Sequence, residues 1–280
     1  MDEQQQRHGE QSALWNGTGG RGWVALEDLI DQLFRPVDDL LVDAVASGPS
    51  SRVLDVGCGA GSTTVAVARR LGASGSCTGI DVSEPMIAAA RERARRERAT
   101  VDFVVADAQT HPFERARFDT IISRFGVMFF DDPIEAFANM HRAATSGARL
   151  RLVVWRSAAE NPFMTTAERA AAPLLPDLPA RRPNEPGQFG FADSEHVRRI
   201  LDASGWSEIE LQRIDVPCTF PEAELVRYVS QLGPVGRILQ QANDELRARV
   251  IAAVRPAFDP YVRGPEVVFT AACWMISARA

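Results

Sequence analysis

The segment VLDVGCGAGS at positions 53–62 places Gly57, Gly59 and Gly61 at alternate positions directly after an apolar run. Glycine at the end of a buried strand lets the backbone approach a ligand closely, because any Cβ there would collide with it. Two carboxylates close later apolar runs, Asp81 in TGID and Asp107 in FVVAD. The first stands where a carboxylate can accept hydrogen bonds from both hydroxyls of a ribose. The second can accept from the exocyclic amine of an adenine. The glycine loop itself departs from the dinucleotide pattern GxGxxG, whose third glycine falls at position 62, where this chain has Ser62. The loop and Asp81 alone fit a nicotinamide dinucleotide or any adenosine ligand. With Asp107 they suggest one adenosine lying across the carboxyl ends of adjacent strands.

Composition removes other chemistries. The chain has 280 residues and a net charge of −6, the wrong sign for a protein built around a polyanion, so no nucleic-acid partner is expected. All 31 basic side chains are arginine. That excludes a Schiff-base lysine and a P-loop lysine. Cys58, Cys77, Cys218 and Cys273 form no CxxC pair and no zinc-like spacing with His8, His111, His141 or His196. No metal is expected, and the cysteines read as free thiols of a cytoplasmic protein. No apolar run reaches the ~18 residues of a membrane span, and MDEQQQRHGEQ lacks the apolar core of a secretory signal.

The elements that must position the loop follow from periodicity. Runs at 52–57, 77–81, 101–107, 118–124 and 149–155 read as strands separated by helical segments. Such alternation on short connections predicts an α/β fold, a mostly parallel sheet with helices on both faces. Ser62 and Ser83 are expected to cap the first two helices, and Pro133 to open a later one. RERARRER (91–98) reads as a solvated helix face. Residues 1–12 are polar and expected to fray. A glycine-rich loop carrying Trp15 and Trp23 precedes two helices broken at Pro36. Between 157 and 192 six prolines interrupt the pattern, a length of loop that is commonly functional. Asp193 caps a further helix, 208–216 is a sixth strand, 221–256 holds one or two helices broken near LGPVG, and 266–278 is a long closing strand. Asp55 reads as a brace on the amides of the glycine loop rather than a ligand.

VLDVGCGAGSTTVAVA, GIDVSEPMIAAAR, FVVADAQTHPF and FDTIISRFGVMFF resemble, in order and spacing, the motifs of class I S-adenosylmethionine (SAM)-dependent methyltransferases, in particular the ubiquinone/menaquinone-biosynthesis-like small-molecule enzymes. The resemblance is strong over 53–156 and looser at WNGTGGRGW and FGFADSEHVRRILDASGW. The family's PGG turn is TSGA here. The resemblance implies a Rossmann-like seven-stranded sheet whose last strand is inserted antiparallel, with SAM as cofactor. It implies that the backbone at Gly57 and Gly59 holds the methionine part, that Asp81 binds the ribose, and that Val82 and Met86 line the adenine. Asp107 and the Ala108 backbone would read the adenine edge. Ser123 and Arg124 would face the methionyl group, and Phe125 and Met128 would border the sulfonium. Trp15 and Trp23 would lie in a lid, or serve as plain core aromatics.

The organisation expected is a helical lid (1–50), a SAM-binding core (51–156), a cap loop (157–192) and a C-terminal part of the core (193–280) with inserted cap helices (221–256). An apolar, proline-rich cap favours a small, fairly hydrophobic acceptor. No histidine stands out as a base, so no catalytic residue is assigned. Two other readings stay open at this point: an NAD(P)-dependent oxidoreductase, and a non-methylating SAM-binding protein or cyclase on the same scaffold. A nucleic-acid methyltransferase is disfavoured by charge and by SRFG standing where an (N/D)PPY-like motif would fall.

Overall fold

The computed structural model describes residues 3–45 and 51–280; residues 46–50, the end of the expected lid, lie outside the described residues. The apolar runs form one sheet. Its strands are β1 (Arg52–Val56), β2 (Ser76–Asp81), β3 (Asp102–Val105), β4 (Phe118–Arg124), β5 (Ala144–Trp155), β6 (Ser207–Pro221), β7 (Val262–Arg263) and β8 (Glu266–Arg279). The order is β3-β2-β1-β4-β5-β8-β6, with the two-residue β7 paired to β8. Neighbours from β3 to β5 are parallel. β8 runs antiparallel between β5 and β6, with Leu152 and Leu211 both opposite Ile276. The seven-stranded arrangement with an inserted last strand is therefore present, and β7 is an addition to it.

The helices are α1 (Glu3–Asn16), α2 (Thr18–Ala25), α3 (Glu27–Ala44), α4 (Ser62–Leu71), α5 (Glu84–Glu97), α6 (Pro133–Ala143), α7 (Pro162–Ala171), α8 (Ser194–Ala203), α9 (Leu225–Gln231), α10 (Gly233–Leu239) and α11 (Asp244–Ala257). From β1 the chain winds through α4 and α5 toward β3, and from β4 it winds through α6 in the other direction. Right-handed crossovers put α4 and α5 on one face and α6 on the other. α3 packs beside α4, and α8 beside α6. The reversal between β1 and β4 opens a crevice outside their carboxyl ends, the usual ligand position of such sheets.

Several local expectations change. Of the residues expected to fray, 3–12 lie in α1, and 1–2 lie outside the described residues. Pro36 lies inside α3 without ending it. Leu29, Ile30, Leu33 and Phe34 before it, and Val37 and Leu41 after it, form one buried stripe, which outweighs the missing backbone donor. The GTGGRG stretch is mostly helix, not loop, because its glycines permit close packing. A Cβ on Gly20 would lie 2.0 Å from the Trp15 carbonyl oxygen, and one on Gly22 would lie 2.6 Å from that of Gln231. The 157–192 stretch contains α7, with Pro162 in its permitted first turn. The 221–256 stretch holds three helices, since Gly233 turns left-handed at φ 69° and Pro234 starts α10 afresh. Ser83 and Asp193 cap as expected, and Asp132 caps the helix that Pro133 opens. Ser62 does not cap: Gly61 occupies that position in left-handed geometry, and the Ser62 hydroxyl donates to Asp38 at 3.3 Å.

Candidate functional site

The glycine loop is shaped by contacts that tolerate no side chain. Gly57 and Gly61 have φ of 67° and 80°. A Cβ on Gly57 would come within 2.6 Å of Gly126 Cα, and one on Gly61 within 2.9 Å of Ala90 Cβ. Gly59, at φ 54°, differs: its nearest neighbour would be Met86 Sδ at 3.5 Å. Four of the loop's amides are already committed. Those of Gly57 and Cys58 donate to the Ile80 carbonyl at 2.8 and 3.1 Å, that of Gly61 to Cys58 at 3.0 Å, and that of Gly59 to the Asp81 carboxylate at 2.9 Å. At these positions the loop therefore offers clearance and carbonyl oxygens rather than N–H donors. Arg93, buried on α5, donates from Nε to the Ala60 carbonyl at 2.9 Å and pairs with Asp31 of α3. The expected solvated face of RERARRER is thus wrong at Arg93, which braces the back of the loop.

Asp81 accepts from the amides of Gly59 and Ser83, both at 2.9 Å. Burial pushes its carboxyl up, and these backbone bonds oppose the shift. Asp107 stands at the next strand end and accepts from the Gln109 amide at 2.8 Å. The Ala108 carbonyl is held by Asn139 Nδ2 at 2.9 Å. The N-terminal helices dock on this same corner. The Ser83 hydroxyl donates to the Trp15 carbonyl at 2.6 Å, while Asn16 donates to the Val82 carbonyl at 3.0 Å and accepts from the Glu84 amide at 2.9 Å.

Asp55 does not brace the loop amides. It accepts from the Thr64 hydroxyl at 2.7 Å, tying β1 to α4, and its burial raises the carboxyl to about 7. The carboxylate that joins the loop to its neighbours is Asp38 of α3, which no motif marked. It accepts from Ser62, from Thr63 and, at 2.9 Å, from Arg124 Nη1. Its one sequence signal is its position on the apolar stripe of α3, one turn after Phe34, where an acidic residue is out of character. Ser123 is also placed otherwise than expected. Its hydroxyl donates to the Val56 carbonyl at 2.7 Å, and it faces the β1–β4 junction instead of the cavity. Arg124 does reach the cavity, as does Phe125, whose φ of 61° is unusual for a bulky residue. The Phe125 ring stacks on Trp155 at 4.7 Å and meets Phe34 edge-on at 5.2 Å.

These residues surround a cavity of about 470 Å³, a size suited to a small molecule. Trp15, Gly57, Gly59, Asp81, Val82, Met86, Asp107, Ala108, Arg124, Phe125 and Met128 all line it, as does Trp23. Gln11, Gln109 and Arg237 line it too, without having been anticipated. Gln11 Oε1 is buried with no hydrogen-bond partner among the described residues. The far wall comes from α7, the 179–190 stretch, α9 and α10. His111, His141 and His196 do not line it, and the His8 side chain lies outside the described residues. Cys58, at the loop, is held well above the usual thiol range by burial and by Asp81, so it stays protonated. Among the described residues no cluster of three metal-ligating side chains occurs, and no helix is long and apolar enough to cross a membrane.

Comparison with known proteins points to a methyltransferase family. A family model described as a methyltransferase domain matches residues 53–147. A nocamycin O-methyltransferase of Saccharothrix syringae is 34% identical over 206 residues, which span 69% of this chain and 72% of that protein. A demethylmenaquinone methyltransferase of Renibacterium salmoninarum is 26% identical over 184 residues, 63% of this chain and 75% of that one. Among solved structures, the YcgJ protein of a Bacillus species superimposes with a TM-score of 0.57 at 17% identity, covering 86% of this chain and 97% of that one; at that identity the likeness speaks for the fold.

Proposed function

The chain belongs to the class I SAM-dependent methyltransferases, and on that premise we propose that it methylates a small, largely apolar organic molecule held between the glycine loop and the helical cap. The observation that carries the cofactor assignment is the commitment of four loop amides. Pyrophosphate needs free N–H donors at such a loop, and here Gly57, Cys58, Gly59 and Gly61 donate within the protein. Carbonyl oxygens left at the loop suit the ammonium of an amino acid, which a dinucleotide lacks. The oxidoreductase alternative is disfavoured for the same reason.

The residues present fit the cofactor. Gly59 leaves room where a side chain would intrude, and Gln11 presents a buried oxygen still lacking a donor. Bound SAM would supply an electrophilic methyl group on a positively charged sulfur, with the thioether as the leaving group for an acceptor lone pair. The protein's own contribution is positioning, the main source of rate in such an in-line transfer. We assign Asp81 to the ribose hydroxyls, its orientation set by the Gly59 and Ser83 amides. Asp107 and Ala108 take the adenine edge, with Val82 and Met86 on its face. Arg124, held by Asp38, takes the methionyl carboxylate. Phe125 and Met128 border the sulfonium and exclude water. α1 and α2 form the lid over the cofactor, with Trp15 at its inner face, and α7, α9 and α10 cap the acceptor.

The names of the relatives support a small-molecule acceptor. Incubation of the full chain with SAM and a panel of apolar phenols, enols, carboxylic acids and amines, followed by detection of S-adenosylhomocysteine (SAH), tests this reading. Release that depends on an apolar acceptor supports it. SAM binding without turnover across the panel would favour a non-methylating SAM protein.

A further inference from the structure

Four cationic side chains line the cavity among the described residues: Arg124, Arg181, Arg182 and Arg237. Three already have a carboxylate partner: Arg124, which the cofactor reading assigns to the methionyl end, is paired with Asp38 at 2.9 Å, Arg181 grips Glu168 with two of its nitrogens, and Arg182 pairs with Glu185 at 3.2 Å. Arg237, on α10, has no hydrogen bond or ion pair among the described residues, although it is half-buried. The charges that reach it are Glu168 and Arg181, which already bind each other. Burial lowers its pKa; Glu168 opposes that shift and Arg181 adds to it. A guanidinium is too basic to discharge in a protein. A cation facing a cavity in this state calls for an anion.

A second polar group shares the same wall. Among the described residues the Tyr228 hydroxyl has as its only hydrogen-bond partner the Met164 sulfur at 3.9 Å, a weak acceptor. Met164 and Glu168 are one turn apart on α7, so Tyr228 and Arg237 address the same helix face. Around them the lining is aromatic and aliphatic, with Phe163, Phe258 and Leu232. An apolar pocket with one or two convergent polar groups orients its ligand by those groups.

We infer that the acceptor is an organic anion, its apolar body among Phe163, Phe258 and Leu232 and an ionised carboxyl, enol or phenol oxygen seated on the Arg237 guanidinium. The inference deepens the reading above and rests on it for the claim that this end of the cavity takes the acceptor.

Calorimetric titration of the full chain loaded with SAH tests it with three probes of matched shape: naphthoate, the ionised enol of hydroxynaphthoquinone, and neutral naphthamide. One or both anions are expected to bind at least about tenfold more tightly than naphthamide, the usual gain from one charge-assisted contact. The two anions distinguish carboxylate from enolate. Arg237→Gln should abolish the preference, Arg237→Lys should retain part of it, and SAH affinity should be unchanged in both variants. Equal binding of naphthamide, a preference that survives Arg237→Gln, or no binding of either anion overturns the inference. If SAH itself fails to bind the unaltered chain, the cofactor reading falls instead, and the same comparison run without SAH still decides whether Arg237 selects an anion.

Discussion

Gly57 and Gly59 look equivalent in the sequence, yet alanine should act differently at each. Both have positive φ, 67° and 54°, so a methyl group at either costs about 1–2 kcal/mol of backbone strain. At Gly57 the new Cβ would also stand 2.6 Å from Gly126 Cα. That neighbour is backbone and cannot rotate away, which adds about 1–3 kcal/mol of overpacking. At Gly59 the nearest atom is Met86 Sδ at 3.5 Å, an ordinary contact. With about 2–4 °C of melting temperature per kcal/mol in a domain this large, Gly57→Ala should lower Tm by about 10 °C and Gly59→Ala by about 4 °C. Affinity should show the reverse order of interest. The Gly59→Ala methyl sits where the loop lines the cavity, so this well-folded variant should lose about tenfold or more in SAH affinity, as steric exclusion from a close-packed site requires. Thermal melts without ligand and calorimetric titration with SAH measure the two effects. Equal melting temperatures for the two variants, or undiminished SAH affinity in Gly59→Ala, would refute the geometry assigned to the loop.

Asp81→Ala should weaken SAH binding by about thirtyfold, the worth of roughly 2 kcal/mol of hydrogen bonding to a charged group; unchanged affinity would remove Asp81 from the ribose. Because Asp81 also accepts from the Gly59 and Ser83 amides, the variant should also show faster amide exchange at those two positions. Asp55 carries a pH signature. Its carboxyl is raised to about 7 by burial, so the folded state keeps a proton that the unfolded chain releases near pH ~4, and its contribution to stability is lost as pH rises between those values. Asp55→Asn should flatten that slope and exceed the unaltered chain above about pH 7 by up to about 4 kcal/mol in urea unfolding, with an unchanged slope counting against the assignment. Asn16→Ala removes two bonds between the lid and the 82–84 corner; about fivefold weaker SAH binding is expected, at about 1 kcal/mol of net hydrogen bonding, and no change would detach the lid from the cofactor.

What the sequence made legible were features set by neighbours in the chain. The strands β1, β2, β4 and β5, the glycine loop and the carboxylates at Asp81 and Asp107 follow from period-two apolar runs and the residues that end them. Features set by distant partners were not legible. Pro36 looked like a helix end because the burial of Val37 and Leu41 beyond it depends on the sheet beneath α3. The glycines of GTGGRG looked like a loop because the reason for them, the approach of α2 to Ser83 and Gln231, lies far along the chain. Arg93 looked like one of many surface arginines until Asp31 and the Ala60 carbonyl surrounded it. Ser123 was assigned by position at a strand end, but its hydroxyl turns back to the Val56 carbonyl. Asp38 could have been suspected from its place on an apolar stripe. Nothing local distinguishes Arg237 from the other thirty arginines of the chain.

The central claim is that the crevice between β1 and β4 holds a single adenosine joined to an amino acid. Paired calorimetric titrations of SAH and NADH into the full chain test it most directly. The account expects SAH to bind at one site per chain and NADH to give no saturable heat. Tight NADH binding with no response to SAH would contradict it.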